Sequence, residues 1–234
     1  MRSVTNTPLR PLAPLMAVLL FSTTSWGQSL FLNEIDCDSN TVPDSLEFVE
    51  LYGAPNSALD GHVVVFYKGG GNTVTTNAYA AFDLDGMATD SAGFFLLANP
   101  GVEGADILFE PGLLRDGGDA VALFEGDSAD FPNGTPLTTV GLLDAVVYGT
   151  GDQTNPFLID SLTPGQPQLD EWLYGVQNGG ALAWARLPDG GPAFASDQMV
   201  LQQPTPGYTN LLDCDGGLIS AQGCLLYTSD AADE

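Results

Sequence analysis

Apolar, β-prone residues gather into short runs along this chain, and clusters of glycine and proline separate one run from the next. The first two runs, LFLNEID at 30–36 and LEFVELY at 46–52, flank a polar loop at 37–45. Further runs fall at 62–68, 78–84, 93–98, 120–124 and 142–148, with a closing pair at 181–187 and 198–201. Each has the length and residue types of a strand. No segment of useful length shows sustained helical periodicity; the one candidate for a helical turn or two is QLDEWLY at 168–174, after the proline-rich 164–167. Lys68-Gly69-Gly70-Gly71-Asn72, Asp116-Gly117-Gly118-Asp119 and Asp189-Gly190-Gly191-Pro192 supply the positive φ angles that tight connections need. Many short strands with glycine-rich turns predict an all-β sandwich.

Alternation of side chains along a strand also sorts the carboxylates. It places Glu34, Asp36 and Asp38 on one face and sends Glu47 and Glu50 to opposite faces, so the latter two cannot serve one site. Asp44 lies in the loop between the first two runs. Asp36, Asp38 and Asp44 are therefore the candidate calcium ligands, since calcium takes six to eight hard oxygen ligands from carboxylates and loop carbonyls. Solvation of the loop and turn capping by aspartate account for the same residues without an ion. Asp213-Cys214-Asp215-Gly216 resembles the first half of a calcium loop but lacks the remaining ligands.

The two ends of the chain stand apart from the sandwich. Arg2 and Arg10 precede the apolar run LAPLMAVLLF, and Ser25-Trp26-Gly27 places small residues at the positions of a cleavage site. Residues 1–27 read as a signal peptide, and the run is too short to span a bilayer. The expected product is secreted, to the periplasm or beyond, with no membrane span. At the other end, residues 224–234 read CLLYTSDAADE, whose codons resemble a translated sequencing adapter. The expected organisation is a signal peptide at 1–27, a sandwich at 28–210 and the start of a linker or downstream module at 211–223, before that tail.

Charge narrows the partners. The formal net charge is −25, and beyond residue 27 the only basic side chains are Lys68, Arg115 and Arg186. Nucleic-acid phosphates and anionic membrane surfaces both need lysine and arginine, so neither is a fitting partner. Divalent cations are compatible with such a charge. Cys37 and Cys214 are each flanked as Asp-Cys-Asp, and an oxidising compartment permits a bridge between them. Such a bridge would tie the first strand to the end of the domain; a partner for Cys214 further downstream is the competing arrangement.

No residue set commits the chain to a reaction. His62 is the only histidine and stands at the start of a strand without a Gly-x-Ser-x-Gly elbow, so a packing role is expected over a nucleophilic triad. One histidine and two distant cysteines make a poor zinc set. Any acidic protein offers carboxylate pairs for glycoside hydrolysis, and nothing singles one out. Asn133-Gly134-Thr135 is a glycosylation sequon. Trp172 and Tyr174 form a candidate recognition patch for sugars, with Trp184 as a further aromatic; such residues are more often anchors in a core.

The order of short motifs resembles the lamin-tail domain family. Asn33-Glu34-Ile35 is followed by Glu47-Phe48-Val49-Glu50-Leu51 and by Leu59-Asp60-Gly61 before the next strand. Phe82-Asp83-Leu84 and Gly93-Phe94-Phe95-Leu96-Leu97 come next, then Leu114 to Leu123 with its Gly118-Asp119-Ala120-Val121 centre. Leu143-Asp144-Ala145-Val146-Val147-Tyr148, a late Arg186 and the closing Pro204-Thr205-Pro206-Gly207-Tyr208-Thr209-Asn210 complete the order. The departure is a proline- and glycine-rich insertion at about 149–180. The resemblance implies an immunoglobulin-like β-sandwich without catalytic residues, acting in binding, adhesion or structural support. A protein or cell-surface glycan is the expected partner, calcium is the one candidate cofactor, and a monomer is expected. The rival expectations are an accessory domain of a larger exported hydrolase or nuclease, and a calcium-dependent surface-attachment module.

Overall fold

The computed structural model describes residues 29–38, 44–70, 73–151, 154–171 and 182–210. Among the described residues, eleven strands form two sheets packed face to face. The first sheet takes β1 (Phe31–Asp36), β2 (Phe48–Tyr52), β5 (Phe94–Ala98), β6 (Ile107–Leu108), β10 (Ala183–Arg186) and β11 (Met199–Gln202), in the order β11-β10-β1-β2-β5-β6. The second takes β3 (His62–Gly70), β4 (Thr73–Asp83), β7 (Asp119–Glu125), β8 (Leu142–Gly149) and β9 (Leu169–Asp170), in the order β4-β3-β7-β8-β9. All neighbours are antiparallel except β5 with β6 and β8 with β9. The chain is an all-β sandwich, as the spacing of apolar runs predicts.

The main core lies between the sheets. Leu32, Ile35, Val49, Leu51, Phe95, Leu97 and Trp184 come from the first sheet, and Val64, Phe66, Val121, Leu123, Val146 and Tyr148 from the second. Trp184 is thus an anchor of the core and not part of a sugar platform. Phe66 meets Phe82 at 5.1 Å and Phe109 edge-on at 5.8 Å between ring centres. The opposite face of the second sheet is buried as well. Val63, Val65, Tyr67, Ala120, Ala122, Phe124, Ala145 and Val147 pack beneath Phe131 and the two inward leucines of α1 (Pro156–Leu162), Leu158 and Leu162. Burial on both faces explains why β3, β7 and β8 read as nearly continuous apolar runs.

Two elements differ from the sequence reading for local reasons. Helix α1 lies inside the insertion at a place without helical periodicity. It is only seven residues long and rests on Asn155, whose side chain accepts from the Leu158 N–H, with Pro156 in the first turn. The candidate helical stretch at 168–174 instead opens with the strand residues Leu169 and Asp170, which pair in parallel with Tyr148 and Gly149. The remainder of that stretch lies outside the described residues. No helix among the described residues is long and apolar enough to cross a membrane.

A register shift in β1 departs from strict alternation. The pairing of β1 with β2 slips between Leu32 and Glu34, so Leu32 and Ile35 both reach the core. Asn33 and Glu34 are left buried but free to bond away from it.

Candidate functional site

Buried acidic residues gather at two places, with different chemistry. The first is a clasp that closes the fold. Glu34 and Glu50 stand opposite each other across β1 and β2 and are 1% and 0% exposed. The carboxylate of Glu34 accepts from the Thr205 N–H at 2.9 Å and the Thr205 hydroxyl at 2.8 Å. That of Glu50 accepts from the Gly207 N–H at 2.6 Å and from Asn33 Nδ2 at 2.8 Å. Asn33 also donates to Asp189 and accepts from the Gly190 N–H. Asn210 donates through its amide to the Arg186 carbonyl and through its backbone N–H to Asp189.

Arg186 carries the clasp into the core. Its guanidinium donates to the Leu32 carbonyl at 2.6 Å, the Pro192 carbonyl at 2.6 Å and Asp144 Oδ2 at 2.8 Å. Asp144 is fully buried and also accepts from the N–H groups of Leu32, Phe194 and Ala145. Burial raises the Asp144 carboxyl, and Arg186 and these donors hold it back. Burial likewise pushes Glu34 up to about 7 and Glu50 up to about 8, against the donors that favour their ionised forms. The motif glutamates thus have backbone and side-chain partners within the fold.

The second place is one end of the sandwich, where the end of β1, the start of β2 and the loop before β7 meet. Carboxylate oxygens of Asp38, Asp44 and Asp116 all lie within 4.8 Å of one another. Asp44 is half-buried and the other two are exposed. The loop carrying Asp116 is fixed on both sides. The Tyr148 hydroxyl donates to the Arg115 carbonyl, the Gly117 N–H donates to Thr150, and the Arg115 guanidinium lies 4.6 Å from the centre of the Tyr79 ring. Behind the three aspartates stand Asp36, Glu47 and Glu171, all buried. Glu171 accepts from the Cys37 N–H, and Glu47 from the Gly112 N–H.

The carboxyls of Asp36, Asp38, Glu47 and Glu171 are each raised on balance, against the hydrogen bonds that Gly112 gives to Glu47 and Cys37 gives to Glu171. Burial, then Glu171 and Asp44, raise Asp36 well above the usual carboxylate range. Burial followed by Asp44 raises Glu47, and burial together with Asp38 raises Glu171. Asp38 is raised by burial and by Asp116. The foremost charges acting on these groups are other carboxylates.

Of the candidate calcium residues, Asp38 and Asp44 come together, and Asp36 does not join them; Asp116 takes the third place. Asp36 pairs across the strands with Phe48 and sits behind the group. Asp116 stands in a glycine turn with a ready conformational role, and its distance along the chain hides its position beside Asp38. Glu47 and Glu50 serve different places, as alternation predicts. Cys37 is a wholly buried free cysteine, and burial raises its thiol. Cys214, Trp172, Tyr174 and the Asp213–Asp215 cluster lie outside the described residues.

His62 lies at the opposite end, where one ring nitrogen is 3.1 Å from the Leu59 carbonyl. It borders a groove of about 1020 Å³ that also takes in Asp60, Asp85, Asp127 and Asp130. Comparison with protein-family models, curated proteins and solved structures returns no match.

Proposed function

We propose that this chain is a non-catalytic, immunoglobulin-like binding or structural-accessory module of the lamin-tail type, made for export. The observation that supports this reading is the clasp. Asn33, Glu34 and Glu50, the acidic and amide residues of the opening motifs, bond to Thr205 and Gly207 of the closing motif and to the Asp189–Gly190 turn. Residues that carry the resemblance at the two ends of the domain therefore act together, on the fold, and their carboxylates hold backbone N–H groups. His62 is a strand-start residue beside the Leu59 carbonyl. A module of this kind offers its loops and outer faces to a protein or cell-surface glycan.

Two measurements on the purified chain test the reading. Isolated cell envelopes and a glycan array should retain it, and ester, glycoside and phosphodiester substrates should not be turned over. Turnover that disappears in His62→Ala or in an aspartate variant of the groove would assign it to the enzymes instead. Fractionation of expressing cells checks export: a full-length cytoplasmic product with an intact N-terminus would remove that part of the proposal.

A further inference from the structure

The loop end of the sandwich holds more negative charge than its buried members can carry alone. Glu47 is 0% exposed, and its Oε1 has no hydrogen-bond donor. Its carboxyl is in contact with that of Asp44. Asp36 is 1% exposed, and its Oδ1 likewise has no donor. An unsatisfied buried carboxylate oxygen facing another carboxylate needs a shared proton or a cation. In front of this pair the oxygens of Asp38, Asp44 and Asp116 converge within 4.8 Å of one another.

We propose that Asp38, Asp44 and Asp116, backed by Glu47, form a binding site for a divalent calcium-class cation at this end of the sandwich. The donors are hard oxygens, which suit calcium and not zinc or copper. Oxygens bound to one calcium at 2.3–2.6 Å lie up to about 5 Å apart, so the observed spacing fits a common ion. Two of the three aspartates are exposed, which leaves room for water to complete the six to eight ligands. Asp44 is the pivot, since it belongs to the aspartate triple and also meets Glu47. The cation joins the loop after β1 to the loop before β7, and so ties one sheet to the other. The site rests on this geometry and is independent of which partner the module takes.

The purified full chain, stripped with chelator and kept at pH 8 and constant ionic strength, is titrated with calcium chloride by calorimetry and by thermal melting. Binding is expected at a Kd of about 0.1–1 mM, the range of extracellular calcium modules, with a rise in Tm. Magnesium, which demands tighter octahedral geometry, should raise Tm less. Asp116→Asn should weaken binding at least tenfold, and Asp160→Asn, on the exposed side of α1, should leave it unchanged. Asp44→Asn separates a ligand from a merely structural aspartate. Without metal it should melt at or above the wild type, because a repelling charge is gone, and it should lose the calcium response. Three results would overturn the site: no heat and no Tm shift at 10 mM calcium, an equal response to sodium chloride, or a wild-type titration by Asp116→Asn.

Discussion

Replacing Arg186 by methionine should be the most damaging single change that leaves the apolar core untouched. The residue is 2% exposed and its side chain supplies three hydrogen bonds, two to carbonyls of separate segments and one to Asp144. Methionine keeps much of the volume and removes every donor. Breaking one side of a buried pair costs about 3–5 kcal/mol, because the remaining charge loses its compensation. Against a typical stability of about 5–15 kcal/mol that is a large fraction. For a chain of this size it corresponds to a fall in Tm of roughly 6–20 °C. Asp144 limits the loss, since it can take up a proton once the guanidinium is gone. The sign follows from linkage. Its folded pKa already stands above 3.8 by burial and rises further in the variant, so the folded state holds a proton that the unfolded state has released. The variant should lose stability as the pH rises from about 4 through that raised value, and its deficit should be smaller at pH 5 than at pH 8. Urea melts at both pH values measure this, and the double variant Asp144→Asn/Arg186→Met should recover part of the loss. A single variant within 1 kcal/mol of the wild type at pH 8, or a double variant as unstable as the summed singles, would refute the reasoning.

Other outcomes follow from the clasp and the turns. Glu50 has a folded pKa raised from 4.5 to about 8, so it binds a proton in the folded state that the unfolded chain releases, and stability falls as the pH rises through that window. The difference amounts to at most about 5 kcal/mol, so Glu50→Gln should gain on the wild type by more than about 1 kcal/mol between pH 5 and pH 9. Parallel pH profiles of the two proteins would count against it. Gly93 has φ +104°, and a Cβ there would fall on the Gly53 carbonyl; Gly93→Ala should cost about 2–4 kcal/mol, a strained φ plus a backbone clash. Gly104→Ala, at φ +85° with open space around it, should lose only about 1–2 kcal/mol. Equal losses in chemical denaturation would show that the contact with Gly53 plays no part.

How the two candidate places relate to the sequence shows where local pattern stops. Glu34 and Glu50 were legible as carboxylates of the first two strands, and their cross-strand pairing came only with the register. Their partners Thr205 and Gly207 were visible only as a closing motif 171 and 157 positions away. The slip between Leu32 and Glu34 depends on pairing with β2, so alternation along β1 alone does not predict it. Helix α1 escaped for a similar reason. Seven residues are too few to show a period, and its place comes from Leu158 and Leu162 covering the second sheet.

The amino-acid sequence by itself determined the nine principal strands, the all-β class and the excess of carboxylates. Strand propensity, glycine turns and charge are local properties, and each can be read without a partner. Only the tertiary structure decided which carboxylates meet. Asp38 and Asp44 lie near each other in the chain, but Asp116 joins them because β1 and β7 belong to facing sheets and their loops emerge at the same end. The physical reason is that hydrogen bonds between strands and burial between sheets act across any sequence separation. They place side chains by register and by layer, and neither is written in the spacing of one run.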